Sequence, residues 1–482
     1  MQRVWMSLGI CAATLLLSLP AFASGFFVAR FGGEHGHPTT DHLSSIYYNP
    51  AGLSLGKGTR LTIDANLAWR MFSYERPEDA IDNIFDDGAS GTPREAVSAN
   101  AGEATLNNFI AAPFAAVASD FGIEGFSAAV GFYAPFGGSS VYDKSENLEM
   151  YPGAADGPQR WWAIEGTIRS VYITGAAAYR IKPLRLSVGL GLNIVKSEVY
   201  TVRARNVNGT DDLTGEGRAL LDVSATELSL GAGVIWEPKD GLFFGASYQS
   251  SPNFGESKLE GTAQLHFSGG RDKLETSDVE YYQTLPEVWQ FGMRWRMDPK
   301  NEVRLFGNYI PWSMLEYQCA IKVGSGQKCP LKSNDENPLI SIPREWMDAY
   351  AVRFGASHWI SPGVEFFGGG GFDANAVPDE TLEPALYDTD KFTLSVGVRL
   401  GLKDGKIMSA SSEGTSDLNI ATTYTQVIYV PREIRPRGPE PDDPTRSNIS
   451  QFGYEQDQRQ PDAAGSYEQS IGVLNINVEY IF

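Results

Sequence analysis

The chain ends in LNINVEYIF, residues 474–482. Leu474, Ile476, Val478 and Tyr480 alternate with Asn475, Asn477 and Glu479, and Phe482 closes the run. Side chains of a strand point alternately to two faces, so this segment has one apolar face and one polar face. An apolar last strand with an aromatic end suits a closed sheet, where every backbone group is paired within the wall. The same alternation recurs upstream. Val188, Leu190, Leu192 and Ile194 are separated by Gly189, Gly191 and Asn193. Trp289, Phe291, Met293, Trp295 and Met297 are separated by Gln290, Gly292, Arg294 and Arg296. Leu394, Val396, Val398 and Leu400 are separated by Ser395, Gly397 and Arg399.

A soluble sandwich also alternates, so the connections have to decide. Short turns stand at Asp120–Glu124, Lys182-Pro183, Pro238–Gly241, Asp298–Asn301 and Ser361–Gly363. Long polar stretches stand between them, at 77–104, 143–160, 321–343, 378–389 and 433–466. Short and long connections largely alternate. That is the pattern of an outer-membrane barrel with tight periplasmic turns and long outer loops, and a sandwich has no such bias. Trp236, Trp295 and Trp359 precede short turns, whereas Trp161, Trp162, Trp312 and Trp346 flank long loops. The spacing predicts two aromatic belts, one at each membrane interface.

The N-terminus carries an export signal. Arg3 precedes the apolar run Ile10–Leu19, and Ala21-Phe22-Ala23 predicts cleavage after residue 23. Beyond it there is no apolar run long enough for a transmembrane helix. The formal charge of −20, one unit further negative once Arg3 is lost, disfavours nucleic-acid partners. Of three cysteines, Cys11 leaves with the signal. Cys319 and Cys329 are expected to close a loop disulfide in an oxidising compartment, the alternative being two free thiols.

Fourteen strands are expected, starting near Arg60, Thr105, Gly125, Trp162, Leu184, Glu216, Leu242, Asp278, Glu302, Arg344, Val364, Lys391, Leu418 and Tyr467. The number is even, as single-chain bacterial barrels require. The fold class is therefore all-β: a 14-stranded antiparallel transmembrane β-barrel, spanning 58–482 behind a 1–23 signal. Residues 24–57 remain as a hatch or a periplasmic lead-in. A lumen this wide needs filling. Asn49 and Pro50 make a helix start, with Asn49 as N-cap and Pro50 at the first position.

Those residues carry a resemblance. IYYNPAGLS (46–54) resembles the Asn-Pro-Ala signature of the FadL/TodX family of outer-membrane transporters for long-chain fatty acids and other hydrophobic compounds. TLPEVWQFGMRWRMDPKNEVRLFGNYIPWSMLE (284–316), GLFFGASYQSSPNFGESKLEGTA (241–263) and VPDETLEPALYDTDKFTLSVGVRLGL (377–402) are similar to further parts of the same family, in the same order. The resemblance implies a barrel with an N-terminal hatch. It places Asn49, Pro50, Ala51 and Gly52 in that hatch near the ligand, with ligand binding shifting the hatch. It also implies a kinked third strand.

In this chain the third strand reads FSAAVGFYAPFGGSSVY (126–142). Pro135 cannot donate to a ladder and Gly137-Gly138 weakens one, so Ala134, Pro135, Phe136, Gly137 and Gly138 are expected to form a lateral opening. The alternative is an ordinary bulge with no transport role. Alternation places Arg180, Arg294, Arg296, Arg353 and Arg399 toward the lumen. Arg344 and Arg353 are candidate partners for a fatty-acid carboxylate, and pairing with acidic side chains of the protein is the competing role. Where the family's carboxylate-binding cations align, this chain carries Met347 and Glu198, which keeps neutral hydrocarbons in play.

His35, His37 and His42 are weak candidates for a metal, against simple hydrogen bonding of the hatch. No Walker loop and no His-Glu-x-x-His occurs, and neither enzymatic activity nor a cofactor is expected. The expected function is passive uptake of hydrophobic molecules. The alternatives are a structural or adhesive barrel without transport and, less in keeping with the turns, a soluble secreted β protein. Expected partners are hydrophobic small molecules or fatty acids, outer-membrane lipid and lipopolysaccharide, and the barrel-assembly machinery, with the protein a monomer.

Overall fold

A computed structural model describes residues 30–81, 84–85, 92–145, 151–206, 211, 213, 216–267, 274–330, 339–409, 411–412, 414–436 and 461–482. The proposed signal and residues 24–29 lie outside the described residues, as does most of the proline-rich stretch before the last strand. The described residues form one closed wall of fourteen antiparallel strands. These are β1 (Thr59–Arg76), β2 (Gly102–Ser119), β3 (Phe126–Val141), β4 (Glu165–Ile181), β5 (Leu186–Asn206) and β6 (Glu216–Lys239). Then come β7 (Leu242–Gln249, resuming as Ser257–Phe267), β8 (Leu274–Gln283, resuming as Val288–Asp298) and β9 (Asn301–Ile310, resuming as Tyr317–Lys322). The wall finishes with β10 (Ile340–Pro343, resuming as Ala349–Ser361), β11 (Val364–Asp373), β12 (Lys391–Lys403), β13 (Leu418–Tyr429) and β14 (Gly465–Ile481).

Closure is made by the segment that opened the sequence analysis. β14 pairs with β1 from Arg60↔Ile481 to Glu75↔Ser466, and β1 pairs along its whole length with β2. Side chains alternate as a barrel wall demands: Leu190 is 70% exposed while its neighbour Gly189 is buried. Ile173, Phe354 and Val396 share the outward phase, so the wall offers hydrocarbon an apolar face.

Four consecutive strands, β7 to β10, are interrupted part-way up. Pro252, Pro286 and Pro311 lie in the first three interruptions and Pro343 immediately precedes the fourth. Proline has no N–H for the ladder, and each of these breaks has a proline within it or at its edge. Cys319, in the outer part of β9, is bonded to Cys329 with an S–S distance of 1.98 Å.

Two expectations are corrected. Trp161, Trp162, Trp312 and Trp346 are all buried and make no outer belt. Trp161 ends a short 3-10 helix, and Trp312 and Trp346 sit in strand interruptions and pack edge-to-face at 5.0 Å. Outside a regular strand, alternation no longer dictates which way an indole turns. Trp359, expected in the inner belt, is buried as well, with the Arg296 guanidinium 4.2 Å over its ring at the β8–β9 turn.

Candidate functional site

Residues 30–58 run inside the wall, and their polar contacts reach around much of its circumference. Asn49 caps the 3-10 helix Pro50–Leu55: its Oδ1 accepts from the Ala51 N–H at 3.1 Å. Its Nδ2 donates to Pro38 O within the segment (2.8 Å) and to two wall carbonyls, Val234 O on β6 (3.0 Å) and Ala246 O on β7 (3.3 Å). The wall meets this corner with glycine. A Cβ at Gly189 would lie 2.3 Å from Ala51 N, one at Gly233 2.0 Å from Asn49 Oδ1, and one at Gly245 2.4 Å from Pro38 O. Any side chain at these positions would occupy the space that Asn49-Pro50-Ala51 fills.

The remaining attachments are also polar. Gly32 N–H donates to Asp64 Oδ2 on β1 at 2.6 Å, and Asn475 and Asn477 of β14 donate to the same carboxylate. Arg294 on β8 pairs with Asp41 at 3.0 Å, and Ser54 Oγ donates to Ser187 Oγ on β5 at 2.9 Å. The three histidines do not converge. His35 meets Glu365 on β11 at 3.0 Å, His37 stays with Thr39 at 3.0 Å, and His42 reaches Asn477 at 3.0 Å. Burial holds His37 well below the usual imidazole range, with Arg304 and Arg294 acting in the same direction. Burial also lowers His42.

The third strand departs from regularity where the sequence placed it. β2 and β3 pair from Ser119↔Ala128 to Phe114↔Tyr133 and no further. β3 shifts register against β4 between Tyr133 and Phe136. Above the interruption the strands meet again: Asn108 Nδ2 donates to Ser139 O at 3.3 Å, and the Asp143 N–H donates to Thr105 O at 2.9 Å. Between these points, Phe109–Pro113 faces Ala134–Gly138 with no ladder pairing among the described residues. Pro113, on the opposite lip from Pro135, was missed in the sequence. A proline inside a run that otherwise reads as strand was the available signal.

Gly138, Ser139 and Ser140, at the upper lip, also line an internal chamber. Its walls include Ile168, Ile340, Ile342, Trp162, Trp346 and Tyr387. Its charged lining is three guanidiniums, of Arg70, Arg203 and Arg344, and one carboxylate, of Glu383. Arg344 pairs with Glu383 at 2.8 Å and donates to Gln318 at 2.8 Å. It lies in the β10 interruption, not at the start of that strand. Arg70 is buried, donates to Gln469 at 2.7 Å, and has no carboxylate partner among the described residues. Arg353 lines a separate cavity beside Arg30, Tyr48 and Lys391, and pairs with Asp373 at 2.5 Å. Met347 is exposed and Glu198 pairs with Lys196 at 2.8 Å, so neither lines the chamber. Cations reach it from other positions. The phase of Arg70, between outward Trp69 and Met71, was the sequence signal for it.

With this geometry in hand, comparison with known proteins gives a consistent picture. Residues 21–406 match the family described as outer membrane protein transport protein (OMPP1/FadL/TodX). The Neisseria meningitidis serogroup B protein NMB0088 is 21% identical over 392 residues, covering 76% of this chain and 79% of that one. Among solved structures, a Pseudomonas aeruginosa FadL homologue has a TM-score of 0.73 at 14% identity, covering 95% of this chain and 100% of its own. The Ralstonia pickettii toluene transporter TbuX has a TM-score of 0.56 at 14% identity, covering 91% and 93%. The Pseudomonas putida toluene transporter TodX has a TM-score of 0.57 at 11% identity, covering 91% and 94%. At these identities the structural likeness shows the fold.

Proposed function

This chain belongs to the OMPP1/FadL/TodX family of outer membrane transport proteins, and on that premise we propose a route by which it carries its cargo. The family places it in the outer membrane as a channel for hydrophobic compounds or fatty acids, a transport protein and not an enzyme. The finer mechanism is our inference. After signal cleavage, residues 24–57 act as a hatch, its part from Arg30 onward running inside the wall. A hydrophobic molecule enters from outside and binds in the chamber under the outer loops. The hatch shifts, and the molecule leaves sideways into the bilayer between β2 and β3.

The observation that carries this reading is the unpaired interval Phe109–Pro113 against Ala134–Gly138, whose upper lip lines the chamber. Lipopolysaccharide obstructs greasy solutes, and a water-filled pore offers them no favourable path. An apolar chamber opening through the wall supplies one. Arg70, buried in the chamber lining with no carboxylate partner among the described residues, favours an amphiphile with an anionic head and an apolar tail over a neutral hydrocarbon. A buried carboxylate is stabilised by charge-assisted hydrogen bonds from arginine.

Native mass spectrometry in mild detergent, with a long-chain fatty acid, an alkane and toluene offered together, tests this. Retention of the fatty acid supports an anionic cargo. Retention of the neutral compounds alone overturns the assignment of cargo class. Retention of nothing by a folded barrel favours a structural or adhesive role.

A further inference from the structure

The lumenal segment is held differently on its two sides. Toward β5–β7 and toward the β14–β1 seam its contacts are directional and close. Asn49 donates to Val234 O and Ala246 O, Ser54 meets Ser187, Ser247 Oγ donates to Tyr48 O at 2.5 Å, and Gly32 meets Asp64. Moving this side strands buried donors and drags the backbone across the glycines at 189, 233 and 245.

The helix Pro50–Leu55 also packs against β3 and β4, but the earlier part of the segment, Phe31 to Tyr47, meets β2 and β3 through rings and one aliphatic side chain. Phe31 lies 5.3 Å from Phe114 and 5.8 Å from Tyr133, and Tyr47 lies 5.3 Å from Tyr133. Ile46 Cδ1 sits where a side chain at Gly131 would go, 2.9 Å from a Cβ there. Gly131 and Tyr133 belong to the last stretch of β3 still paired with β2. Apolar contacts are non-directional, so an apolar solute can replace them with equivalent contacts.

We propose that the hatch opens as a hinged flap and not as a departing plug. Asn49–Ala51 and Gly32 stay fixed, and Ile46 and Tyr47, on the short helix Ser45–Tyr48, form the latch against β3 that a solute displaces on its way to the lateral interval. The proposal rests on the lateral route above and names which part of the hatch moves.

Two double-cysteine variants of the full chain test it, each assayed for uptake of labelled long-chain fatty acid before and after reductant. Ile46→Cys with Gly131→Cys ties down the latch. Ser54→Cys with Ser187→Cys ties down the anchored side. The latch crosslink is expected to abolish uptake and the reductant to restore it, which also shows that the variant folds. The anchor crosslink is expected to leave uptake at the wild-type level in both states. Normal uptake with the latch crosslinked overturns the proposal. Equal loss in both crosslinked variants overturns it too, because the hatch then moves as one body. A wrong lateral route shows itself separately, in normal uptake by a variant with the β2–β3 ladder repaired.

Discussion

Phe114 and Tyr133 are the last cross-strand pair of β2 and β3, with their rings stacked at 6.0 Å, and the ladder stops there. Continued in register, Pro113 would oppose Ala134 and Ala112 would oppose Pro135. Successive antiparallel pairs alternate between exchanging N–H···O bonds and facing away. Whichever phase holds, one of the two prolines removes a donor from this ladder. The amides of Phe109–Ala112 and Gly137-Gly138 that point into this gap should therefore exchange with solvent deuterium faster than those of Ala128–Tyr133, which has a paired strand on both sides. Uniform protection across both stretches would mean that the interval is paired in the membrane.

The Asn49 corner sets how firmly the hatch is seated. Asn49→Ala loses the two amide N–H groups shared among three carbonyls and the cap on Ala51, and should lower stability by about 1–3 kcal/mol, read as a lower temperature of heat-modified gel migration. Gly189→Ala should unseat the same corner by steric contact with Ala51. In planar bilayers both variants, and deletion of Ser24 to Lys57, should raise conductance. Unchanged conductance on deletion would show that the segment does not obstruct the lumen.

Acid should loosen the hatch. The Thr39 and Ser44 N–H groups donate to Nδ1 of His37 and His42, so both imidazoles must be neutral with the proton on Nε2. Their folded values lie below 6.5, so unfolded or unseated chains bind protons that the seated hatch refuses. The stability they contribute is complete above about pH 6.5 and is lost as pH falls through that value toward their lowered folded values. Protease access to the hatch should rise on acidification below that point. His37→Gln with His42→Gln should flatten the dependence.

Arg70 and Arg344 should govern recognition of the head group. Arg70→Met and Arg344→Met should each weaken fatty-acid retention by about tenfold or more, the worth of one charge-assisted hydrogen bond, while leaving toluene unaffected. Equal loss for both ligands would indicate damaged packing and not lost charge recognition.

Much of the wall was legible because a barrel strand has only two faces. Strand starts read from alternation at Arg60, Leu242, Val364 and Leu418 coincide with observed starts to within a residue. The β3 irregularity was legible because Pro135 and Gly137 act locally. Less was legible wherever the partner is remote in sequence. Gly189, Gly233 and Gly245 read as small residues on one face until Asn49-Pro50-Ala51 is seen resting on them. Trp162 and Trp346 flank long loops in sequence, yet turn inward to line the chamber. Of the chamber's cations, Arg344 was named from the sequence, whereas Arg70 and Arg203 were not, and the positions aligned with the family's cations carry Met347 and Glu198. The chamber takes its charge from β1, β5 and the β10 interruption, an arrangement that only barrel closure brings together.

The most direct test of the lateral route is uptake of a labelled long-chain fatty acid by cells carrying Pro113→Val, Pro135→Val and Gly137→Thr together, beside wild type. The variant restores donors and side chains to both lips of the interval. The account predicts a barrel that still migrates as folded but has lost most of its uptake. A folded variant with wild-type uptake would contradict release through the wall between β2 and β3.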